Sequence, residues 1–214
     1  MMRSTSLSAK DYTRAMREIS LEQYIISRRP ILDKEGKFIF FPTHKACMTS
    51  IQHVLRDRIL THKKHGKKYQ KALRAAAAYP KGYYKFTVVR NPYDRTLSAY
   101  RYLSKIKRYR TLAEDRFRDF CVKGLVGYLG DAHFSHQHHN VMFQNSQFVD
   151  FVARFENIDT DWEIIANTIG CKASLPVKNA SKKKVDYRDY YTDMSKKTVK
   201  KIYKNDLRIL GYDF

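Results

Sequence analysis

Short apolar runs that stop at a polar turn, each followed by a helical pattern, restrict this chain more than any other feature. Residues 37–41 end at Pro42-Thr43, and residues 83–89, rich in β-branched and aromatic side chains, end at Arg90-Asn91-Pro92. Runs this short read as strands, and a Pro in that position closes a strand and opens a helix. Apolar residues then recur at helical spacing: Ile51, Val54, Leu55 and Ile59 after the first run, Leu97 and Tyr100 after the second. A third strand is predicted over residues 148–154, followed by a Thr160/Glu163 capping box and a helix that stops at Gly170. Further helices are predicted from Ser8 through Ile19, over residues 67–78, from a Thr111/Glu114 capping box toward Val122, and from Asp193 or Ser195 to Gly211. Strands alternating with helices give an α/β domain with a central, mainly parallel sheet flanked by helices. Residues 1–37 are expected to form a helical segment packed on that domain, which takes residues 38–214.

The chain has 214 residues, a length that fits one domain, and 43% of them are hydrophobic, enough to build a core and exclude global disorder. No window approaches the ~18 uninterrupted apolar residues of a membrane span. Residues 1–10 lack an apolar stretch, so no signal peptide is expected. Cys47, Cys121 and Cys171 are odd in number, widely spaced and without a C-x-x-C pair, which reads as free thiols. The formal net charge is +21. Such an excess attracts polyanions: nucleic acid, an anionic glycan, nucleotide phosphates or an anionic membrane surface. Lysines and arginines cluster at residues 62–68, 105–110 and 182–184. Any one cluster reads as a solvated face; three in one small domain favour an anionic ligand.

Two strand-to-helix junctions are candidate anion sites. In the first, residues 41–50, backbone N–H groups and the positive end of a helix dipole converge, with Lys45 adding a point charge and Thr49 and Ser50 adding hydroxyls. The glycines of a nucleotide-hydrolysing G-x-x-x-x-G-K-[ST] loop are absent, which disfavours ATP or GTP hydrolysis. The same loop also reads as an ordinary turn with a capping Thr. In the second junction the strand delivers Arg90, and Ser98 follows on the helix after Pro92. Guanidinium and hydroxyl together make a cradle for a phosphate monoester. The competing reading is an arginine bridging to an acidic residue at a strand end.

The segment Arg90-Asn91-Pro92-Tyr93-Asp94-Arg95 with Leu97-Ser98-Ala99-Tyr100 resembles the V-R-[DNE]-P-[FY]-x-R-x-x-S-x-Y signature of PAPS-dependent carbohydrate O-sulfotransferases (sulfotransferase family 2), the enzymes that modify chondroitin and heparan chains. Lys45 to Ser50 is similar to their P-K-x-[AG]-x-[ST]-[ST] loop, with His44 where Pro usually stands and Met48 in a slot that is usually small. Residues 152–158 with Asp161 resemble I-G-R-[FY]-E-N-L and its trailing Asp, and Tyr187 through Tyr212 resembles the C-terminal ending of the family. The resemblance runs from about Phe38 to Phe214. It implies a P-loop NTPase-like fold and PAPS as sulfuryl donor. It also implies a 5′-phosphosulfate site at Lys45, Ala46, Cys47, Met48, Thr49 and Ser50, with Lys45 catalytic, and a 3′-phosphate site at Arg90 and Ser98. The acceptor is expected to be a glycan or other hydroxyl compound, anionic because +21 far exceeds what a nucleotide needs. Nucleic acid is expected to bind only non-specifically.

Residues 133–139 hold four histidines. A metal site is the less favoured reading, and no metal is expected. The family's H-[WF]-x-P-Q matches at His133, Phe134 and Gln137, which implies an acceptor-side role for His133 as base; His62 and His65 are rivals. Glu156 reads equally as a carboxylate at a strand end, held by Arg154 or a backbone amide. Two other classes compete: a non-enzymatic basic nucleic-acid binder, and a small-molecule kinase with an atypical phosphate loop. With neither leader nor anchor in the sequence, a complete chain is expected in the cytoplasm and one trimmed of its anchor in the Golgi lumen. Asn179-Ala180-Ser181 is read as a loop.

Overall fold

The computed structural model describes residues 19–114, 116–176 and 186–214. Helix α1 (Leu21–Arg28) is closed at its start by a capping box between Ser20 and Gln23 and leads into strand β1 (Ile31–Asp33). Then come β2 (Phe38–Phe41), α2 (Met48–Val54), β3 (Ile59–Leu60) and α3 (His62–Ala78). Next are β4 (Tyr84–Val89) and α4 (Pro92–Leu103), whose start is capped by the Asn91 side chain accepting the Tyr93 N–H. After α5 (Arg110–Glu114) and α6 (Phe117–Asp119) the chain crosses a small hairpin of β5 (Met142–Phe143) and β6 (Ser146–Gln147). It ends with β7 (Phe151–Arg154), α7 (Ile158–Ile169), α8 (Asp193–Ile202) and α9 (Lys204–Leu210). Among the described residues no helix is long and apolar enough to cross a membrane.

The main sheet has the strand order β3-β1-β2-β4-β7. The pairs β2–β4 and β4–β7 are parallel, while β1 runs antiparallel to both β2 and β3. Four of the five strands therefore share one direction, β1 alone being reversed. The strand β1 lies ahead of Phe38, so the sheet draws in residues from the segment expected to be helical. Side chains alternate as a pleat requires: Phe38 and Phe40 join one core with Phe86, Ile51, Leu55 and Trp162, and Ile39 and Phe41 join another with Leu73, Tyr69 and Ile25. Both faces are covered, which explains why the strands read as unbroken apolar runs. Each such side chain, fully buried, contributes roughly 1.5–3 kcal/mol. A third cluster under α4, with Tyr93, Leu97, Phe120, Phe134 and Tyr203, seats the histidine segment.

Several element ends differ from the sequence expectation. Ile59 lies in β3 rather than on the preceding helix, because α2 stops at Val54 and a turn from Arg58 N–H to the Leu55 carbonyl redirects the chain. Strand β7 starts at Phe151 because Asp150 is spent on Lys85, its carboxylate accepting both the backbone N–H and the ammonium at 2.7 Å. Thr111 lies inside α5 and shares a hydrogen bond with Tyr128 at 3.4 Å instead of capping. Helix α7 begins at Ile158 with no side-chain cap, so Thr160 sits in its first turn, whereas Gly170 closes it with φ 64° as expected. Thr192 and Ser195 form the capping box of α8, and the final helix is two, α8 and α9, broken at Tyr203. The helix predicted from Ser8 and the cluster at residues 182–184 lie outside the described residues, apart from Ile19.

Candidate active site

The loop after β2 turns on two left-handed residues, Lys45 at φ 67° and Cys47 at φ 60°. Neither is glycine, and each such conformation costs roughly 1–3 kcal/mol. Neighbours hold the turn in place. The Asn140 amide donates to the Thr43 hydroxyl (3.1 Å) and the Pro42 carbonyl (3.2 Å), the Ala46 N–H reaches the Thr43 carbonyl (3.3 Å), and the Arg90 guanidinium donates to the Lys45 carbonyl (3.0 Å). No side chain caps the helix that follows. The Ala46 methyl is fully buried, so Ala46 can meet a ligand only through its backbone; Ser50 is largely buried, Thr49 is exposed, and Met48 lines a neighbouring cleft. Burial pushes the Cys47 thiol pKa up, so it stays protonated. The Lys45 ammonium lies 4.2 Å over the ring of Tyr102. Burial first, and then the Arg90 cation, draw the Lys45 pKa down.

Arg90 stands at the end of β4. Its Nε and Nη2 grip the Asp94 carboxylate one helical turn on, at 2.9 and 2.8 Å, and its plane lies 4.2 Å over the Phe155 ring. The arginine does therefore bridge to an acidic residue. Three of its five N–H donors are used on Asp94 and Lys45, which leaves two for a ligand. Ser98 is half-buried on α4, and its hydroxyl makes no hydrogen bond, to Arg90 or otherwise, among the described residues. Glu156 accepts the Asn91 N–H at 2.6 Å and the Tyr212 hydroxyl at 2.7 Å, tying the C-terminal end of the chain to β4. That is the backbone-amide reading of Glu156.

The histidine segment is locked onto the same strand end. Gln137, almost fully buried, accepts the Arg90 N–H (2.9 Å) and donates to the Arg90 carbonyl (2.8 Å). Arg95, buried in α4, donates to the carbonyls of His133 (2.9 Å) and Ser135. Asp206 is fully buried and accepts the backbone N–H groups of Gln137 (2.9 Å) and His138 (3.0 Å) as well as the His138 ring. Those bonds account for the carboxylate in the His136–His138–Asp206 group, whose ligand-type atoms lie within 4.8 Å of one another.

His133 itself is oriented by Asp131, whose Oδ1 meets both its backbone N–H (2.9 Å) and its ring Nδ1 (2.8 Å). Burial opposes charge on Asp131, but hydrogen bonds from Tyr109 and His133 outweigh it and hold the carboxyl below its usual range. The His133 ring lies 5.5 Å from Tyr102, stacked, and 4.6 Å from His44, edge-on. Lys45, Tyr102, His133 and His44 thus form one continuous cluster, although they come from three separate segments.

Beside this cluster opens a cleft of about 690 Å³. Its charged lining is Arg28, Arg29, Arg56, Lys63 and Lys64, with no carboxylate. The basic run at residues 62–68 supplies part of this wall because α3 breaks at Gly66, with φ 41° and ψ −116°. A Cβ there would meet nothing within 4 Å, so the backbone conformation and not space asks for glycine. His62 and His65 line the cleft; the His65 ring accepts the Thr61 N–H at 3.0 Å, and neither belongs to the cluster around Lys45.

Tyr102, the contacts of Arg95 with the histidine segment and the orienting role of Asp131 escaped the sequence reading. Asp131 lies two residues from His133, a spacing that signals such a pair only once the turn is known. A family model described as the sulfotransferase family matches residues 28–213, most of the chain. No curated protein and no solved structure matches it.

Proposed function

From the premise that this chain belongs to the sulfotransferase family, we propose that it moves a sulfuryl group from PAPS to a hydroxyl of an anionic carbohydrate, in line and without a metal. The observation that carries this reading is the placement of Lys45. A half-buried ammonium with no carboxylate partner among the described residues sits one aromatic ring away from a carboxylate-oriented histidine. One is the group that sulfuryl transfer needs for the leaving phosphate, the other the group it needs for the attacking hydroxyl.

PAPS supplies the activated sulfate: the acceptor oxygen bonds to sulfur as the bond from sulfur to the phosphate oxygen breaks, and that oxygen keeps the electron pair. Lys45 neutralises the charge that develops there, with the uncapped first turn of α2 beside it. Arg90 offers its two remaining N–H groups to the 3′-phosphate, pre-aimed by Asp94 and Phe155, and Ser98 supplies the hydroxyl. His133 takes the acceptor proton. Its Nδ1–H donates to Asp131, so the lone pair lies on Nε2, and the carboxylate stabilises the imidazolium that forms. The five cations of the cleft attract the acceptor and favour a polymer carrying carboxylate or sulfate groups.

Thermal-shift measurement with PAP, AMP, ATP and duplex DNA tests this reading. PAP at 100 times its Kd should stabilise the fold by about 2.7 kcal/mol, and AMP and ATP at equal concentration far less. Equal affinity for PAP and AMP would refute the 3′-phosphate assignment. A specific, tight response to DNA with none to PAP would favour a nucleic-acid binder.

A further inference from the structure

Among the described residues that line the basic cleft, His44 is the one that also belongs to the Lys45 cluster. Its ring lies edge-on to that of His133, 4.6 Å between centroids. Neither Lys45 nor His133 is among the cleft's lining residues. An acceptor seated in the cleft therefore meets His44 directly beside Lys45 and His133. We infer that His44 is a second acceptor-side residue, which hydrogen-bonds the sugar beside the reacting hydroxyl and turns that hydroxyl toward His133.

This inference rests on the sulfuryl-transfer reading and adds a residue to it. Three observations support it. His44 stands immediately before Lys45, on a turn fixed by Asn140 and Arg90, so its ring has a defined position relative to the leaving group. No ring hydrogen bond occupies it among the described residues, so its donor and acceptor are available to a ligand. Burial, and then the neighbouring His133, pull its pKa down to about 4. At neutral pH the ring is thus uncharged and presents one N–H and one lone pair, the pairing a sugar hydroxyl complements. It does not compete with His133 for the proton, because a group that resists protonation so strongly makes the weaker base.

The signature that this loop resembles has Pro at this position, which offers no such contact. His44→Pro is therefore the direct test, with His44→Gln as a second variant that keeps a donor and an acceptor. PAP affinity is measured by calorimetry, and kcat and KM for sulfuryl transfer to desulfated chondroitin and heparosan oligosaccharides by product analysis. The inference expects PAP affinity within twofold of the wild type in both variants. It expects acceptor kcat/KM to fall tenfold or more in His44→Pro and to be partly kept in His44→Gln. Unchanged acceptor kcat/KM in His44→Pro overturns the inference while leaving the sulfotransferase reading intact. Loss of PAP affinity in both variants also overturns it, by showing that His44 only shapes the phosphate loop. A wild-type protein that transfers to neither acceptor overturns the reading beneath it, and the inference with it.

Discussion

Around the donor loops almost every charged group has a polar partner, while across the acceptor cleft three of the five cations have none among the described residues. Arg90 is held by Asp94 and the Lys45 carbonyl, Arg95 by two carbonyls, and Asp131 by Tyr109 and His133. In the cleft, Arg29, Lys63 and Lys64 have no carboxylate partner among the described residues, Arg28 donates to the Asn140 amide oxygen at 3.0 and 3.2 Å, and Arg56 has only the exposed Asp57 at 3.5 Å. Exposed pairs of that kind are worth about 0–1 kcal/mol. The two regions bind by different physics. The donor side fixes directions, as recognition of one nucleotide demands. The cleft sets up a field, which attracts a polyanion and leaves fine selection to the few groups at its seam with the loop. Lys45 is the exception on the donor side: among the described residues its ammonium has an aromatic face and no ion-pair or hydrogen-bond partner.

The largest effect should come from that exception. Lys45→Ala should lower kcat by ~10²–10³, the scale for deleting one donor to a developing charge. PAP should still bind through Arg90, so single-turnover kinetics and PAP calorimetry on one variant separate chemistry from binding. Arg90→Ala comes next. Losing two charge-assisted hydrogen bonds should weaken PAP by about 3 kcal/mol, or ~100-fold. AMP binding should change far less. If both nucleotides weaken equally, Arg90 only braces the loop through the Lys45 carbonyl.

Those two residues were legible in the sequence because each follows a strand that stops sharply, and a strand end followed by a helix start places its residues within narrow limits. The left-handed turns at Lys45 and Cys47 were not legible, since no glycine marks them and the turn is imposed by Asn140 and Arg90 from far along the chain. The Asp131–His133 pair was hidden for a similar reason: it depends on a turn that Arg95, Gln137 and Asp206 hold from outside. The excess of positive charge was plain from composition, but its concentration at one cleft was not. Arg28 ends α1, Arg29 caps it, and Arg56 comes from the turn after α2; only folding brings them to the lysines of α3. Helix ends went wrong where a tertiary partner took the capping group, as at Thr111 with Tyr128.

A third prediction tests the cleft side of the comparison. Lys63→Gln with Lys64→Gln should lower kcat/KM for an anionic glycan by about fivefold at low ionic strength and much less at high salt, as screening removes what those charges supply. PAP affinity should not move. A drop that persists unchanged in high salt would mean specific contacts in place of a field.

The smallest effect concerns pH. Burial is the first cause holding His44 down to about 4 and His139 down to about 3, against 6.5 for an exposed ring. Between pH 6.5 and 4 the unfolded chain therefore binds more protons than the folded one, and stability must rise with pH across that window. Melting temperature should fall as the buffer is taken from pH 6.5 to 4.5, and His139→Gln should flatten that fall. A melting temperature independent of pH in this window would show that these rings are charged in the fold.

The most direct measurement is sulfuryl transfer itself. The protein is incubated with PAPS labelled in its sulfur, with desulfated chondroitin or heparosan and, in parallel, a neutral glucan, at low and at high ionic strength. The account predicts label in the anionic glycan, little in the neutral one, incorporation that falls with salt, and a rate ~10²–10³ lower with Lys45→Ala. Label in neither polymer, or equal salt-independent label in both, would contradict it.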